Sequence, residues 1–126
     1  MQTISIPIKL TNEAIESIIY TSLHACAYWM TEIGYTTKDN KRTYNGMYTT
    51  RILNMGGKLN ITAYDDYENK LLRRTLTLKK LIRGIQKYAS IYGIQTENGK
   101  LDTSSLDDNA CDLIIQYSIF GKQIFA

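Results

Sequence analysis

The sequence predicts an α+β domain with a small, mostly antiparallel sheet covered on one face by about three helices. Three observations predict it. Apolar residues alternate with polar ones in four short stretches. They recur at helical spacing in three longer ones. The last two alternating stretches are joined by a tight polar turn, which makes them antiparallel neighbours. A chain of 126 residues with 44% hydrophobic content suits one domain with one core, residues 1–126.

In residues 3–10, Ile4, Ile6, Ile8 and Leu10 fall on one side and Thr3, Ser5, Pro7 and Lys9 on the other. This is the pattern of a half-buried strand, and Pro7 places it at a sheet edge because proline donates no ladder hydrogen bond. Thr11 is a good N-cap, and Glu13 complements the positive end of a helix dipole. Ala14, Ile15, Ile18, Ile19, Ser22 and Cys26 then keep helical spacing, giving a helix over 12–26. Alternation returns from Tyr28 to Thr37 and predicts a second strand. Residues 38–42 form a polar loop. Residues 43–57 have scattered apolar positions and suggest a short helix leading into a turn at Gly56-Gly57.

Residues 58–65 alternate again, with Leu59, Ile61 and Ala63 on one side. Asp66 to Asn69 connects them to a strand at 70–76, where Leu72, Arg74 and Leu76 oppose Leu71, Arg73 and Thr75. Thr77 caps a helix over 78–92 whose apolar face is Leu78, Leu81, Ile82, Ile85, Tyr88 or Ala89, and Tyr92. Gly93 stops it. Residues 94–105 read as a loop. Ser105 with Asp108 opens a helix over about 107–119, with Ala110, Cys111, Ile114 and Tyr117 or Ser118 inward. Gly121 ends it, and Lys122 to Ala126 add a short terminal strand.

Composition narrows function. No stretch is long and apolar enough to span a bilayer, and residues 1–10 lack the pattern of a secretory signal. A cytoplasmic protein without membrane contact is expected. Cys26 and Cys111 have neither disulfide-framework nor zinc spacing and read as buried thiols. No metal-ligand spacing is present, and no cofactor is expected. His24 is the single histidine and sits mid-helix beside no evident nucleophile other than Ser22 or Cys26. Asp65-Asp66 and Asp107-Asp108 are adjacent pairs that point apart. An enzyme is therefore not expected. The net charge of +3 is too mild to mark a general nucleic-acid binder. Ten tyrosines fit either an interaction surface or an AT-rich coding sequence.

The most uneven feature is basic. Lys70, Arg73, Arg74, Lys79, Lys80, Arg83 and Lys87 occur with no acid between Glu68 and Glu97. Lys80, Arg83 and Lys87 share a helix face. Guanidinium groups near a helix N-terminus suit phosphate, because both offer N–H donors to its oxygens. Tyr88, Tyr92 and Trp29 are the candidate stacking surfaces for a base. Arg73, Arg74, Lys80, Arg83 and Lys87 with these three aromatics form the candidate site. The alternative is a solvated helix face and core aromatics. The acids Glu97, Asp102, Asp107, Asp108 and Asp112 gather in the last third and complement the last helix's dipole.

Three stretches carry a resemblance. They are Gly56-Gly57 with Leu59 to Asp65; Leu76-Thr77-Leu78, Lys80-Leu81 and Gly84-Ile85; and Asp107-Asp108, Ala110, Asp112, Ile114 to Tyr117 and Phe120-Gly121. With Tyr28-Trp29 closing an early helix, they resemble small proteins encoded by phages and prophages of Firmicutes. Nearly the whole chain is covered. The pattern is similar to the Thoeris anti-defence sponges, which sequester cyclic-nucleotide signals as oligomers. The resemblance implies a homo-oligomer that binds a small phosphate-bearing nucleotide without cleaving it. The last helix has no arginine, so no phosphate-binding arginine carries over there. The other expectations are an anti-CRISPR type of inhibitor that binds a host defence protein directly, through Tyr44, Tyr48, Tyr64 and Tyr67, and a general nucleic-acid-binding accessory protein.

Overall fold

The computed structural model describes residues 7–44 and 46–126. It has three α-helices and two antiparallel sheets, an α+β architecture. Helix α1 spans Asn12–Ala25, and its N-cap Thr11 accepts a hydrogen bond from the Ala14 amide at 3.1 Å. Strands β1 (Met30–Thr36), β2 (Arg42–Thr43), β3 (Lys58–Asp65) and β4 (Lys70–Leu76) make one sheet in the order β2-β1-β3-β4. Helix α2 spans Leu78–Tyr92, strands β5 (Thr96–Glu97) and β6 (Lys100–Leu101) form a small hairpin, and helix α3 spans Asp108–Phe120.

The β3-β4 hairpin falls where alternation predicts it. Asp65 accepts from the amides of Tyr67 and Glu68, and Asn69 takes a positive φ of 54°, so local turn chemistry fixes the register Leu59↔Leu76 through Asp65↔Lys70. Directly opposed residues share a face. Tyr35, Leu59, Ile61, Ala63 and Leu76 are thus buried together against the helices.

Helix α3 is the central element. Every residue from Ala110 to Ile119 except Leu113 is buried, because α1 and α2 both pack on it and β4 lies beneath. Its closest neighbour is α2 at Gly84, where a Cβ would stand 1.9 Å from Ser118 Oγ and 2.6 Å from the Ile114 carbonyl. Only glycine lets the two helices approach this far. Ile82 and Tyr92, expected on the apolar face of α2, are exposed, and Gly84 takes the contact position instead.

Other boundaries differ from expectation for identifiable reasons. Residues 3–6 of the expected first strand lie outside the described residues. Pro7 to Leu10 add no strand to the larger sheet, and Lys9 instead makes a parallel bridge to Lys100. Arg42, expected in a loop, pairs with Thr36. Residues 47–56 form successive turns in place of a helix, yet bury Ile52 and Leu53 in the core. Residues 94–105 contain the β5-β6 hairpin and a 3-10 turn, Thr103–Ser105. Asp107, not Ser105, caps α3. The terminal residues form no strand. The amides of Ile124 and Phe125 both donate to Gln116 Oε1 at 2.9 Å, which ties the tail to α3.

Candidate functional site: the open face of the sheet

The helices cover one face of the larger sheet, and strand alternation fixes what the other face carries. Arg42, Thr36 and Lys58 stand in one cross-strand row. Gly34, Asn60 and Thr75 make the next, and Glu32, Thr62 and Arg73 the one after. A register shift between Met30 and Glu32 sets this phase: it lets Met30 turn inward opposite Ala63 while Glu32 turns outward opposite Thr62.

These rows enclose a cleft of about 370 Å³ lined by Glu32, Gly34, Arg42, Tyr44, Asn60, Thr62, Arg73 and Thr75, among others. Its size falls within the range of small-molecule sites. Gly34 lies under the chain's own backbone, since a Cβ there would meet the Thr43 carbonyl at 2.6 Å and Tyr44 Cα at 3.3 Å. Tyr44 is 75% exposed at the wall of the cleft. Among the described residues the ion pairs are His24–Asp108, Arg51–Glu16 and Lys70–Glu68, so Arg42, Arg73 and Glu32 all lack one. Asn60 donates to Thr36 Oγ1 at 2.9 Å. Two unpaired guanidinium groups, an aromatic ring, hydroxyls and an amide thus share one concave surface. That set can hold an oxyanion and a flat ring. Comparison with protein families, with curated proteins and with solved structures finds no match for this chain.

The structure disperses the basic cluster expected from sequence. Arg73 and Arg74 are adjacent on a strand and therefore point to opposite faces. Both residues contribute to the cleft's lining, but the Arg74 guanidinium itself lies 5.4 Å from the Phe120 ring and donates to the Arg73 carbonyl at 2.9 Å. Lys80 donates to the Thr75 carbonyl at 2.8 Å, so two alternate carbonyls of edge strand β4 are covered by the chain's own cations. Lys87 donates to the Gly121 carbonyl and lies 5.3 Å from the Tyr117 ring. Arg83, between them on α2, is exposed.

Tyr88 and Tyr92 pack on each other at 4.9 Å, with Tyr88 half-buried and Tyr92 exposed. Burial raises the Tyr88 hydroxyl above its ordinary range. Trp29 corrects the expectation of a stacking platform. It is 2% exposed, and Phe125 stacks parallel to it at 5.2 Å while Phe120 meets it edge-on. A base has no access to it.

Trp29 belongs instead to a polar network in the core. Asp112, 8% exposed, accepts from the Trp29 indole, the Tyr28 hydroxyl, the Gln116 amide and the Cys26 thiol. Burial first, then the Asp112 carboxylate, holds the Cys26 thiol far above its ordinary range; the same causes raise Tyr28, with the hydrogen bond to Asp112 ahead of its charge. Burial, then Asp108 and Asp107, pushes the Cys111 thiol up to about 11. His24 stands 3.7 Å from Asp108, with both side chains exposed. Among the described residues, no three potential metal ligands cluster, and no helix is long and apolar enough to cross a membrane.

The sequence reading missed Arg42, Glu32 and Gly34, and named Tyr44 only for the protein-binding alternative. Alternation in β3 and β4 already placed Asn60, Thr62, Thr75 and Arg73 opposite the apolar face. The contribution of β1 and β2 depends on long-range pairing, which no local pattern reports.

Proposed function

We propose that this chain is a stoichiometric binding protein whose open sheet face takes a phosphate-bearing nucleotide. The carrying observation is the convergence of Arg42 and Arg73, which have no ion-pair partner among the described residues, on one cleft with Tyr44 at its wall. Guanidinium groups bind phosphate oxygens bidentately, and the exposed Tyr44 ring offers stacking. The resemblance to phage anti-defence sponges gives such a ligand a source: a cyclic-nucleotide immune signal, captured by a homo-oligomer in the host cytoplasm and left uncleaved. Arg73 is retained from the basic cluster as a phosphate contact, and Arg42 joins it.

Native mass spectrometry of the protein with cyclic and linear nucleotides tests this. The expected result is a multimer that retains a nucleotide of unaltered mass, with retention lost in R42E and R73E. Retention unchanged in both variants would exclude the sheet face. Release of an altered mass would make the protein an enzyme.

A second reading is direct binding of a host defence protein. It is favoured by Tyr44, Met47 and Tyr48, which are 75%, 86% and 40% exposed within five positions of the chain. Clustered exposed aromatics and methionine are typical of protein interfaces. A stable complex with a defence effector in the absence of any nucleotide favours this reading.

A further inference from the structure

We infer that Arg74 and Lys80 close the free edge of the larger sheet against a second copy of this chain, and that without them strand β4 pairs with itself across a twofold axis. The ladder decides which groups of β4 are free. The Tyr64 amide donates at 3.2 Å to the Trp29 carbonyl on the β1 side, and Thr31 Oγ1 donates to the Thr62 carbonyl on that same side. Asn60, Thr62 and Tyr64 therefore direct their backbone groups toward β1. Their partners Thr75, Arg73 and Leu71 direct theirs away from the sheet, as alternation along an antiparallel ladder requires. The outward carbonyls of Arg73 and Thr75 are the two that cations occupy: the Arg74 guanidinium at 2.9 Å and the Lys80 ammonium at 2.8 Å. Lys80 reaches back from the first turn of α2 and is half-buried, with its own amide bonded to the Thr77 cap.

The two edges of the sheet differ in what they offer. Strand β2 is two residues long, too short to template another strand. Strand β4 is seven residues long and exposes Leu71. Its outward groups, on Leu71, Arg73 and Thr75, are placed symmetrically about Arg73. Antiparallel pairing of two β4 strands about an axis at Arg73 is therefore self-complementary, the requirement for a twofold contact. Two effects oppose it in the native chain. An incoming strand must bring its amides to carbonyls already held by charged donors, and charge-assisted hydrogen bonds are the stronger kind. Lysine and arginine have no acceptor, so the covering groups give the incoming amides nothing to bind. This inference is independent of the nucleotide reading.

Size-exclusion chromatography with light scattering, run on the full chain over a range of concentrations, tests the closure. R74M/K80M removes both donors, and methionine at 74 still packs on the Phe120 ring. Its mass is expected to rise with concentration to about twice that of the wild type. Adding T75P removes an outward amide that β3 does not use, a place where an edge strand accepts proline. The triple variant is expected to return to the wild-type mass. Circular dichroism checks the fold of each variant. If the double variant does not fold, K80M alone frees the Thr75 carbonyl, leaves Arg74 over Phe120, and is expected to shift the mass in the same direction. A wild-type mass at every concentration in the folded variant would overturn the closure. A raised mass that persists with T75P would place the contact elsewhere and overturn it as well.

Discussion

The indole N–H of Trp29 donates to Asp112 Oδ1 across 2.7 Å, joining the entry to the first strand of the sheet to the central helix. The same carboxylate takes Gln116, which in turn holds the carboxy-terminal tail. One buried acid therefore orders three parts of the chain. Removing it leaves the Trp29 donor and the Gln116 amide short of partners, and each buried unsatisfied group costs about 1–3 kcal/mol. Asp112→Ala is expected to lose about 3 kcal/mol in urea denaturation. Asp112→Asn, which keeps an acceptor for Trp29, is expected to lose less. Equal stability of all three proteins would show that the network contributes nothing.

Trp29 is the single tryptophan, so its emission reports this region alone. Phe125 covers one of its faces. Phe125→Ala is expected to shift the emission to longer wavelength and to cost about 1–3 kcal/mol, below the full loss for a completely buried phenylalanine because Phe125 is half-exposed. Unchanged emission would mean that the tail does not cover the ring.

Gly84→Ala places a methyl group 1.9 Å from Ser118 Oγ and 2.6 Å from the Ile114 carbonyl. Helices α2 and α3 must separate, at a cost of about 1–3 kcal/mol or more. Pairing it with Ser118→Gly relieves the side-chain clash but not the backbone one. The double variant is expected to recover only part of the loss, read from thermal midpoints.

Alkaline pH is expected to destabilise the fold through its thiols. In the folded chain Cys111 titrates at about 11, above its ordinary value of 9.0, so between these values the unfolded chain loses the proton first. Stability is whole below about pH 9 and falls as pH rises toward 11; the raised Cys26 adds in the same direction. Urea midpoints measured across this window should decline, and Cys111→Ala should flatten the decline. A flat wild-type profile would contradict it.

Arg73 and Arg74 are expected to separate binding from stability. Arg73→Glu places a carboxylate on the open face and should abolish phosphate binding with little change in thermal midpoint. Arg74→Glu removes the cation over Phe120 and the cap on the Arg73 carbonyl, worth about 1–2 kcal/mol together. It should lower the midpoint and leave the binding face intact. The reverse pattern would put the site on the helix side.

The elements that were legible in the sequence are those built from neighbours in the chain. Thr11 and Thr77 announce two helices because a cap needs only a hydroxyl three residues before an amide. The β3-β4 hairpin is legible because four turn residues join two alternating runs. The β5-β6 hairpin was not, because its strands are two residues each and show no period. Trp29 was a candidate stacking surface with a core position as the alternative, because the alternation of Tyr28 to Tyr35 does not say which face is buried. Nothing local says that Phe125, 96 positions later, covers it.

The sequence by itself determined the α+β class, the three helices and the apolar face of β3 and β4, since caps, turns and periodicity act over a few residues. The tertiary structure alone decided which cations stand together. It set Arg73 and Arg74 on opposite faces, brought Arg42 in from β2, and packed the Thr43–Tyr44 backbone over Gly34. The physical reason is that a strand turns its side chains every residue but finds its partner at long range, so alternation fixes each strand's two faces and pairing fixes which residues share one.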